Sequence, residues 1–511
     1  MGRFGRIRTL VVTLSCAALV GCGTTRSLPP AGGLGLTATG GGGRQALGGG
    51  PTGPGQGATG PGQSPAGSST GATGGAAATG AVGPGIFTPG AASGAGGAGG
   101  VGAAGGDTNT PGPKLPPIEI GTYYLNGGNA ALAAAGFSGV VIPNNQPVFA
   151  AIVTYINAHG GLAGRQIDPV YYEYNEGGNG QAEDQAACAD FTQDHHVYLV
   201  IGGINSGAGQ LIPCLAQAGV PIIGANQDED ASWFETYHRY DYEPDQVNFT
   251  RGLTLLVADL QAQGWFAGAP KIGLVQYAGS TYDSAVDNGL VPALAALGLK
   301  PTDRISVDSS NDASISSGAS DAELKFDTER INRVIFLAPG GLAQTLFMEN
   351  ANAQGYKPGY GIWSTDSPSV LAETAPPSQL EGSVGIGYFP GLDVAAAQDP
   401  TATTPAGKAC LAFFQSIGET DQSGLNNALL RSACDIFEPL MHVMATTPDA
   451  TTSTAALETG FNAIGDNYSP ASTFATLFVA GRHDEADGYR QLAYTTSCRC
   501  FTYVGPTRLI Q

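Results

Sequence analysis

Charge is scarce in this 511-residue sequence: Asp, Glu, Lys and Arg make up 13% of it, about half the share usual in soluble domains. Positive charge is scarcer still, with 22 Lys and Arg against 42 Asp and Glu, and five of the 22 precede residue 45. The remainder is strongly acidic, which argues against nucleic acid or another polyanion as partner. No apolar run reaches the roughly 20 residues that a membrane-spanning helix needs. The body of the chain also lacks Gly-x-Ser-x-Gly, Ser-x-x-Lys, His-Glu-x-x-His and the Gly-Lys-Ser/Thr of a phosphate loop. Those absences remove the usual serine-hydrolase, penicillin-binding, zincin and NTPase readings, and no enzyme is expected. There is no Cys-x-x-Cys or Cys-x-x-His spacing. His195-His196 and His483-Asp484-Glu485 stand in polar stretches without a partner motif and read as solvated loops, so neither a metal nor a cofactor is expected.

Glycine is abundant instead, and unevenly so: 31 of the 78 glycines fall in residues 31–110, with one Arg (Arg44) and one Asp (Asp107). Residues 22–116 are almost wholly Gly, Ala, Pro, Thr and Ser. They cannot bury enough apolar surface to offset the entropy of ordering, and read as a disordered tether. Treated as a Gly-rich coil, such a tether has a root-mean-square reach on the order of 50 Å. Ahead of it, Arg3, Arg6 and Arg8 precede a short apolar run from Leu10 to Val20, the pattern of an export signal over residues 1–21. The run ends in Leu19-Val20-Gly21-Cys22, which resembles the bacterial lipobox, implying that Cys22 is lipidated and holds the chain on a membrane. An exported body should oxidise its cysteines. Cys188 with Cys214 and Cys410 with Cys434 are natural local pairs, each spanning two expected helices. Cys498 and Cys500 are left over; a Cys-x-Cys bridge is geometrically demanding, and bridges elsewhere stay open.

From Ile118 onward, short apolar runs alternate with longer amphipathic segments, as in a parallel sheet covered by helices. Strands are expected at 118–124, 168–174, 197–202 and 219–224, with helices at 145–158, 181–194, 207–218 and 246–263. In the first helix, Val148, Phe149, Ile152, Val153 and Ile156 recur at helical spacing and define a buried face. A second series repeats the rhythm: strands at 271–277, near 304–308, 333–338 and 359–364, helices at 282–297 and 341–354. A strand at 383–389, helices at 407–417, 425–446 and 453–464, and short strands near 473–479 and 499–504 follow. The body is therefore expected over 117–505, with a first lobe mainly at 117–262, a second mainly at 268–380, and later segments crossing between them.

The segment Tyr155-Ile156-Asn157-Ala158-His159-Gly160-Gly161-Leu162-Ala163-Gly164-Arg165-Gln166-Ile167 is physically a helix stop, its glycines allowing the positive φ of a C-cap. It resembles the helix-end signature of the leucine/isoleucine/valine-binding-protein family of type I periplasmic solute-binding proteins. Further features stand in family order: Val200-Ile201-Gly202 before a Ser-containing loop, Gly219-Val220-Pro221-Ile222-Ile223, Gly273-Leu274-Val275-Gln276-Tyr277 leading to Tyr282, and Gln354-Gly355-Tyr356-Lys357-Pro358. The resemblance spans roughly residues 118–505. It implies two doubly wound α/β lobes joined by crossover segments, closing over a small polar solute such as an amino acid or amide and delivering it to an ABC permease. A monomer is expected.

Ligands of open parallel sheets sit beyond the carboxyl ends of the strands. That rule selects Asn126 after the first strand, Asn205 and Ser206 after the third, and Asn226 and Asp228 after the fourth. Ser206 starts a helix, where a hydroxyl and free N–H groups suit a carboxylate; simple N-capping is the alternative, and the resemblance favours the ligand. In the second lobe the resemblance points to Tyr282 as an aromatic cover and Asp366 as the carboxylate meeting an ammonium. Asp228, Glu229 and Asp230 would suit a cationic or polyhydroxy solute, or form a solvated charge run. Solute sensing without a permease and, more distantly, a secreted hydrolase remain alternatives.

Overall fold

Two sheets organise the computed structural model, which describes residues 115–126, 144–175, 180–202, 209–225, 229–420 and 424–510. The expected amino-terminal signal, Cys22 and nearly all of the expected tether lie outside the described residues. The first sheet contains β1 (Ile118–Asn126), β2 (Ile167–Asn175), β3 (Leu199–Ile201), β4 (Ile222–Ile223) and β5 (Asp241–Tyr242), all parallel, in the order β2-β1-β3-β4-β5. Its strands are buried on both faces, so period-two alternation sorts the side chains between two cores. Ile118, Ile120, Leu199, Ile201 and Ile223 meet helices Gln146–Ala158, Pro405–Ser416, Gly424–Thr446 and Thr454–Ile464. Tyr123, Val200 and Ile222 face the opposite way, onto helices Gly180–Ala189 and Leu211–Ala218.

The second sheet contains β6 (Ile272–Tyr277), β7 (Pro301–Val307), β8 (Arg333–Leu337), β9 (Gly359–Trp363), β10 (Val384–Gly387), β11 (Gly488–Thr495) and β12 (Cys500–Leu509), in the order β12-β11-β10-β9-β8-β6-β7. β6 to β10 are parallel, and β11 and β12 close one edge as an antiparallel hairpin. Val275, Val334, Phe336, Tyr360 and Ile362 pack on helices Asp312–Glu329 and Leu342–Gln354. Ile272, Leu274, Ile335, Leu337 and Ile386 pack on helix Phe249–Ala262 and on residues 285–294. The fold is thus the expected pair of doubly wound α/β lobes.

Helix Phe249–Ala262 was expected with the first lobe, but it packs on the second sheet. Its Leu253, Leu256, Val257 and Leu260 are buried there. At Gly252 an added Cβ would lie 2.4 Å from the Trp363 ring, so only glycine lets that indole approach the helix so closely. The crossing between lobes accordingly happens before the helix, in residues 243–248. The expected strand near 473–479 is absent; that stretch makes only isolated bridges, Thr476 with Ala486 and Val479 with Arg482.

The crossing segment runs beside a second one, with Glu243 bridged in parallel to Asp484. Glu243 N donates to His483 O at 2.7 Å, and Glu485 N to Glu243 O at 3.0 Å. His483, Asp484 and Glu485, expected in a solvated loop, are therefore fully buried. Arg251, at the start of the following helix, binds Asp484 Oδ2 at 2.6 Å, Asp487 Oδ1 at 3.3 Å and the carbonyls of Asp484 and Ala486. A third crossing, residues 394–404, is fixed to helix Gly424–Thr446 by the buried pair Asp399–Arg431. Cys188 is bonded to Cys214 and Cys410 to Cys434. Cys498 is bonded to Cys500 rather than to a distant cysteine. Cys498 lies in the turn between β11 and β12, where Arg499 has φ +54°, and this reversal brings the two Cα atoms to 5.2 Å.

Candidate functional site

The carboxyl ends of the two sheets approach one another through short loops. Asp230, after β4, donates its N–H to Thr281 Oγ1 at 3.1 Å, and Thr281 follows β6. Asp230 also caps helix Ala231–Tyr237, accepting from Trp233 N. The neighbouring Glu229 carbonyl accepts from Phe249 N at 2.8 Å. Residues 229–230, 249 and 281–282 therefore form one connected group where the strands of both sheets end.

Aromatic rings line this group. Tyr282, half-buried, lies 5.5 Å from Phe249 and 5.9 Å from Tyr277 between ring centroids, and Phe249 lies 6.1 Å from Trp363. Such tilted and edge-on pairs hold a ring in place. The structure thus sets Tyr282 at the second sheet's carboxyl end.

Asp366 has a different place. It is fully buried; Gln344 Nε2 donates to Oδ1 at 2.6 Å and Trp363 N to Oδ2 at 3.0 Å. Burial pushes its pKa well above the usual carboxylate range. This carboxyl ties β9 to helix Leu342–Gln354, with both oxygens held by internal donors, the arrangement of an internal cap. Sequence pattern missed this because a polar residue after a strand reads equally as a ligand group and as a cap.

In the first sheet, Asn205, Ser206, Asn226 and Asp228 lie outside the described residues. Asn126 ends β1, in register with Asn175 of β2. The strands that precede these residues are described and adjacent, since β3 pairs with β4. At Gly202 an added Cβ would sit 2.3 Å from Gly224 O, so the two chains leave the sheet in direct backbone contact, which any larger residue would force apart.

Beside them lies a residue that pattern reading passed over. Thr122 is buried on the apolar face of β1 that carries Ile118 and Ile120, and its Oγ1 has no hydrogen-bond partner among the described residues. It lines a cavity of about 30 Å³ with Asn145, Phe149, Gly202 and Phe437, room for an ordered water. The lone hydroxyl in an otherwise apolar strand face was the available signal. Asn145 Nδ2 donates to Tyr123 O at 3.2 Å, fixing the start of helix Gln146–Ala158 against the same strand.

This arrangement offers loop N–H groups, hydroxyls and rings between two rigid sheets, which suits capture of a small molecule. Among the described residues no group of His, Cys, Asp and Glu could hold a metal ion, and no helix is long and apolar enough to cross a membrane.

Comparison with known proteins agrees with this architecture. Three solved structures illustrate the likeness. A possible leucine/isoleucine/valine-binding protein from Rhodopirellula baltica SH 1 shows 14% identity and a TM-score of 0.55 over 78% of this chain and 98% of its own. A solute-binding protein of an ABC transporter from Rhodopseudomonas palustris HaA2, in complex with p-hydroxybenzoic acid, shows 14% identity and a TM-score of 0.56 over 77% and 97%. A branched-chain amino acid ABC transporter protein from Thermus thermophilus with bound valine shows 14% identity and a TM-score of 0.55 over 78% and 97%. At such identities the likeness concerns the fold. No curated protein matches by sequence. The family model described as "Periplasmic binding protein" matches residues 136–403, more than half of the chain. The chain belongs to the periplasmic binding protein family.

Proposed function

We propose that this protein captures a small organic acid between the carboxyl ends of its two sheets and presents it to an ABC permease, held at a membrane by lipid on Cys22. The observation that carries the reading is the convergence of both sheets' strand ends on the 229–230 and 281–282 loops, the position at which open α/β sheets bind ligands. Family membership supports an extracytoplasmic binding role without catalysis. Asn126, Asn205, Ser206, Asn226 and Asp228 supply the first lobe's polar groups, and Tyr282 covers the solute from the second.

The solute class follows from chemistry. The structural neighbours hold valine and p-hydroxybenzoic acid, which share a carboxylate. Asp366 is committed to the interior and gives no counter-charge to an ammonium, while half-buried Tyr282, backed by the buried rings of Phe249 and Tyr277, offers an aromatic surface. Carboxylates with a flat or apolar body, rather than zwitterionic amino acids, are therefore the favoured solutes.

A thermal-shift screen of aromatic acids, aliphatic acids and amino acids tests this. A true solute at one hundred times its Kd stabilises the fold by about 2.7 kcal/mol. Ser206→Ala and Tyr282→Ala should reduce that shift. If no acid raises the melting temperature, the proposal fails; if only amino acids do, the solute class is wrong.

A further inference from the structure

Among the described residues there are three disulfides, and one of them is built unlike the others. Cys188, Cys410 and Cys434 are each 1% exposed, and their two bridges close loops of 26 and 24 residues. Cys498–Cys500 closes a separation of two residues at the tip of the β11–β12 hairpin. The restraint that a bridge places on the unfolded chain grows with loop length, so this one contributes least to stability. The hairpin does not need it. The ladder pairs Gln491 with Val504 through Thr495 with Cys500, and Thr495 and Thr502 join their hydroxyls at 3.0 Å.

The two sulfurs are also unequal. Cys498 is exposed in the turn, next to exposed Arg499, whereas Cys500 is 7% exposed. The Gln398 carboxamide lies against Cys500 Sγ, with its Nε2 at 3.1 Å and its Oε1 at 3.2 Å, so a thiolate there is held by the Nε2 donor once the carboxamide turns its N–H to it. Gln398 is held there by its neighbour, since Asp399 accepts from Thr401 N at 2.8 Å and pairs with buried Arg431. One sulfur is open to attack, and the other is positioned to leave as a thiolate that accepts an N–H bond.

We propose that Cys498–Cys500 is a thiol–disulfide exchange site, opened by an external dithiol while the fold stays intact. A thiolate of the dithiol attacks Cys498 Sγ, forming a mixed disulfide; the Cys498–Cys500 bond breaks and its electron pair leaves on Cys500 Sγ. The dithiol's second thiolate then attacks its own sulfur in the mixed disulfide and releases Cys498 as thiolate. The dithiol ends as a disulfide, having donated two electrons, and solvent protonates the cysteines according to pH. Arg499 favours the anionic attacker at the tip. Gln398 is a positioning residue that stabilises the leaving sulfur.

The test uses the full chain with dithiothreitol as the dithiol, acid quenching, maleimide labelling and peptide mass mapping. Cys498 and Cys500 should label at least about tenfold faster than buried Cys188, Cys410 and Cys434 and half-buried Cys214, as access governs exchange, with an unchanged near-ultraviolet circular dichroism spectrum. Equal labelling of all three bridges, or opening only after the spectrum collapses, overturns the proposal. In Cys500→Ser, oxidised glutathione should add to Cys498; in Cys498→Ser, addition to Cys500 should be at least about tenfold slower. Equal rates would show that attack is not directed to Cys498. Gln398→Leu should shift the alkylation pH profile of reduced Cys500 upward, and an unchanged profile removes Gln398 from the mechanism.

Discussion

Arg251 concentrates more of the connection between lobes than any expected site residue. Its guanidinium reaches Asp484, Asp487 and two backbone carbonyls of the second crossing, and Asn248 adds two bonds to the same Asp484 Oδ2 at 2.9 Å. Asp484 is fully buried, and without Arg251 its remaining ion-pair contact among the described residues is the longer one to Arg482, at 3.7 Å. Arg251→Ala should cost about 3–5 kcal/mol, the usual penalty for breaking a buried pair from one side. Urea unfolding measures it, and a loss under about 1 kcal/mol would reduce the pair to the standing of a surface salt bridge. Asp366 makes a smaller contribution of another kind. Asp366→Ala strands the Trp363 N–H and takes one of two acceptors from the Gln344 amide, which keeps the Ala338 carbonyl, a cost of about 1–3 kcal/mol. If Asp366 is an internal cap, the same variant keeps its solute affinity once folded, as calorimetric titration would show.

Between elements, buried carboxyls join segments that are far apart in sequence. Asp393 Oδ2 accepts from Ser364 Oγ at 3.0 Å, Phe389 N at 3.0 Å and Tyr503 Oη at 2.6 Å, linking the ends of β9 and β10 to β12. Its Oδ1 has no partner among the described residues. Burial pushes its pKa to about 8, against about 3.9 for an unfolded Asp. Between those values the folded state holds a proton that the unfolded state has released. The stabilisation is complete below about pH 4 and is lost as pH rises toward 8, which is the reverse of a salt-bridged Asp. Unfolding free energy should therefore fall from pH 5 to pH 8, and Asp393→Asn should flatten that slope in a urea series across the range. A slope unaffected by the substitution would assign the pH dependence to other groups.

The same scale shows what could be read from sequence. Helix Gln146–Ala158 was legible because bulky Val148, Phe149, Ile152, Val153 and Ile156 mark its buried face. Helix Asp312–Glu329 was not: its buried face is Ile315, Ala319, Ala322 and Phe326 among serines, and alanine contributes little contrast to a hydrophobic period. β5 has two residues, too few for any period, and is recognised only through its pairing with β4. Tyr282 was singled out by the family resemblance, and the structure sets it after β6, within 5.9 Å of the Tyr277 ring. The inward turn of Asp366 was not legible, because the burial of a carboxyl depends on Gln344, which is 22 residues away in sequence.

At the scale of the whole molecule, the crossing segments and the strand-end loops do different jobs. The crossings are paired along their backbones and pinned by buried ions, so rotation of one sheet against the other has to pivot about them. The contact from Asp230 N to Thr281 Oγ1 joins loops of the two sheets beside the first crossing, since the flanking Glu229 O accepts from Phe249 N and Ala231 N donates to Thr250 Oγ1. An interaction made only when the sheets close shifts the population toward the closed state. Thr281→Ala removes the acceptor and leaves the crossings untouched. A hydrogen bond of this kind is worth about 0.5–1.5 kcal/mol, which corresponds to solute binding weakened by about 2- to 13-fold. Calorimetric titration with a solute from the thermal-shift screen measures the change, with urea unfolding of the solute-free variant as control. Weaker binding at equal stability is the outcome expected of a contact that forms on closure. Unchanged affinity would mean that the contact persists in both states, and that closure takes its differential energy from the solute alone.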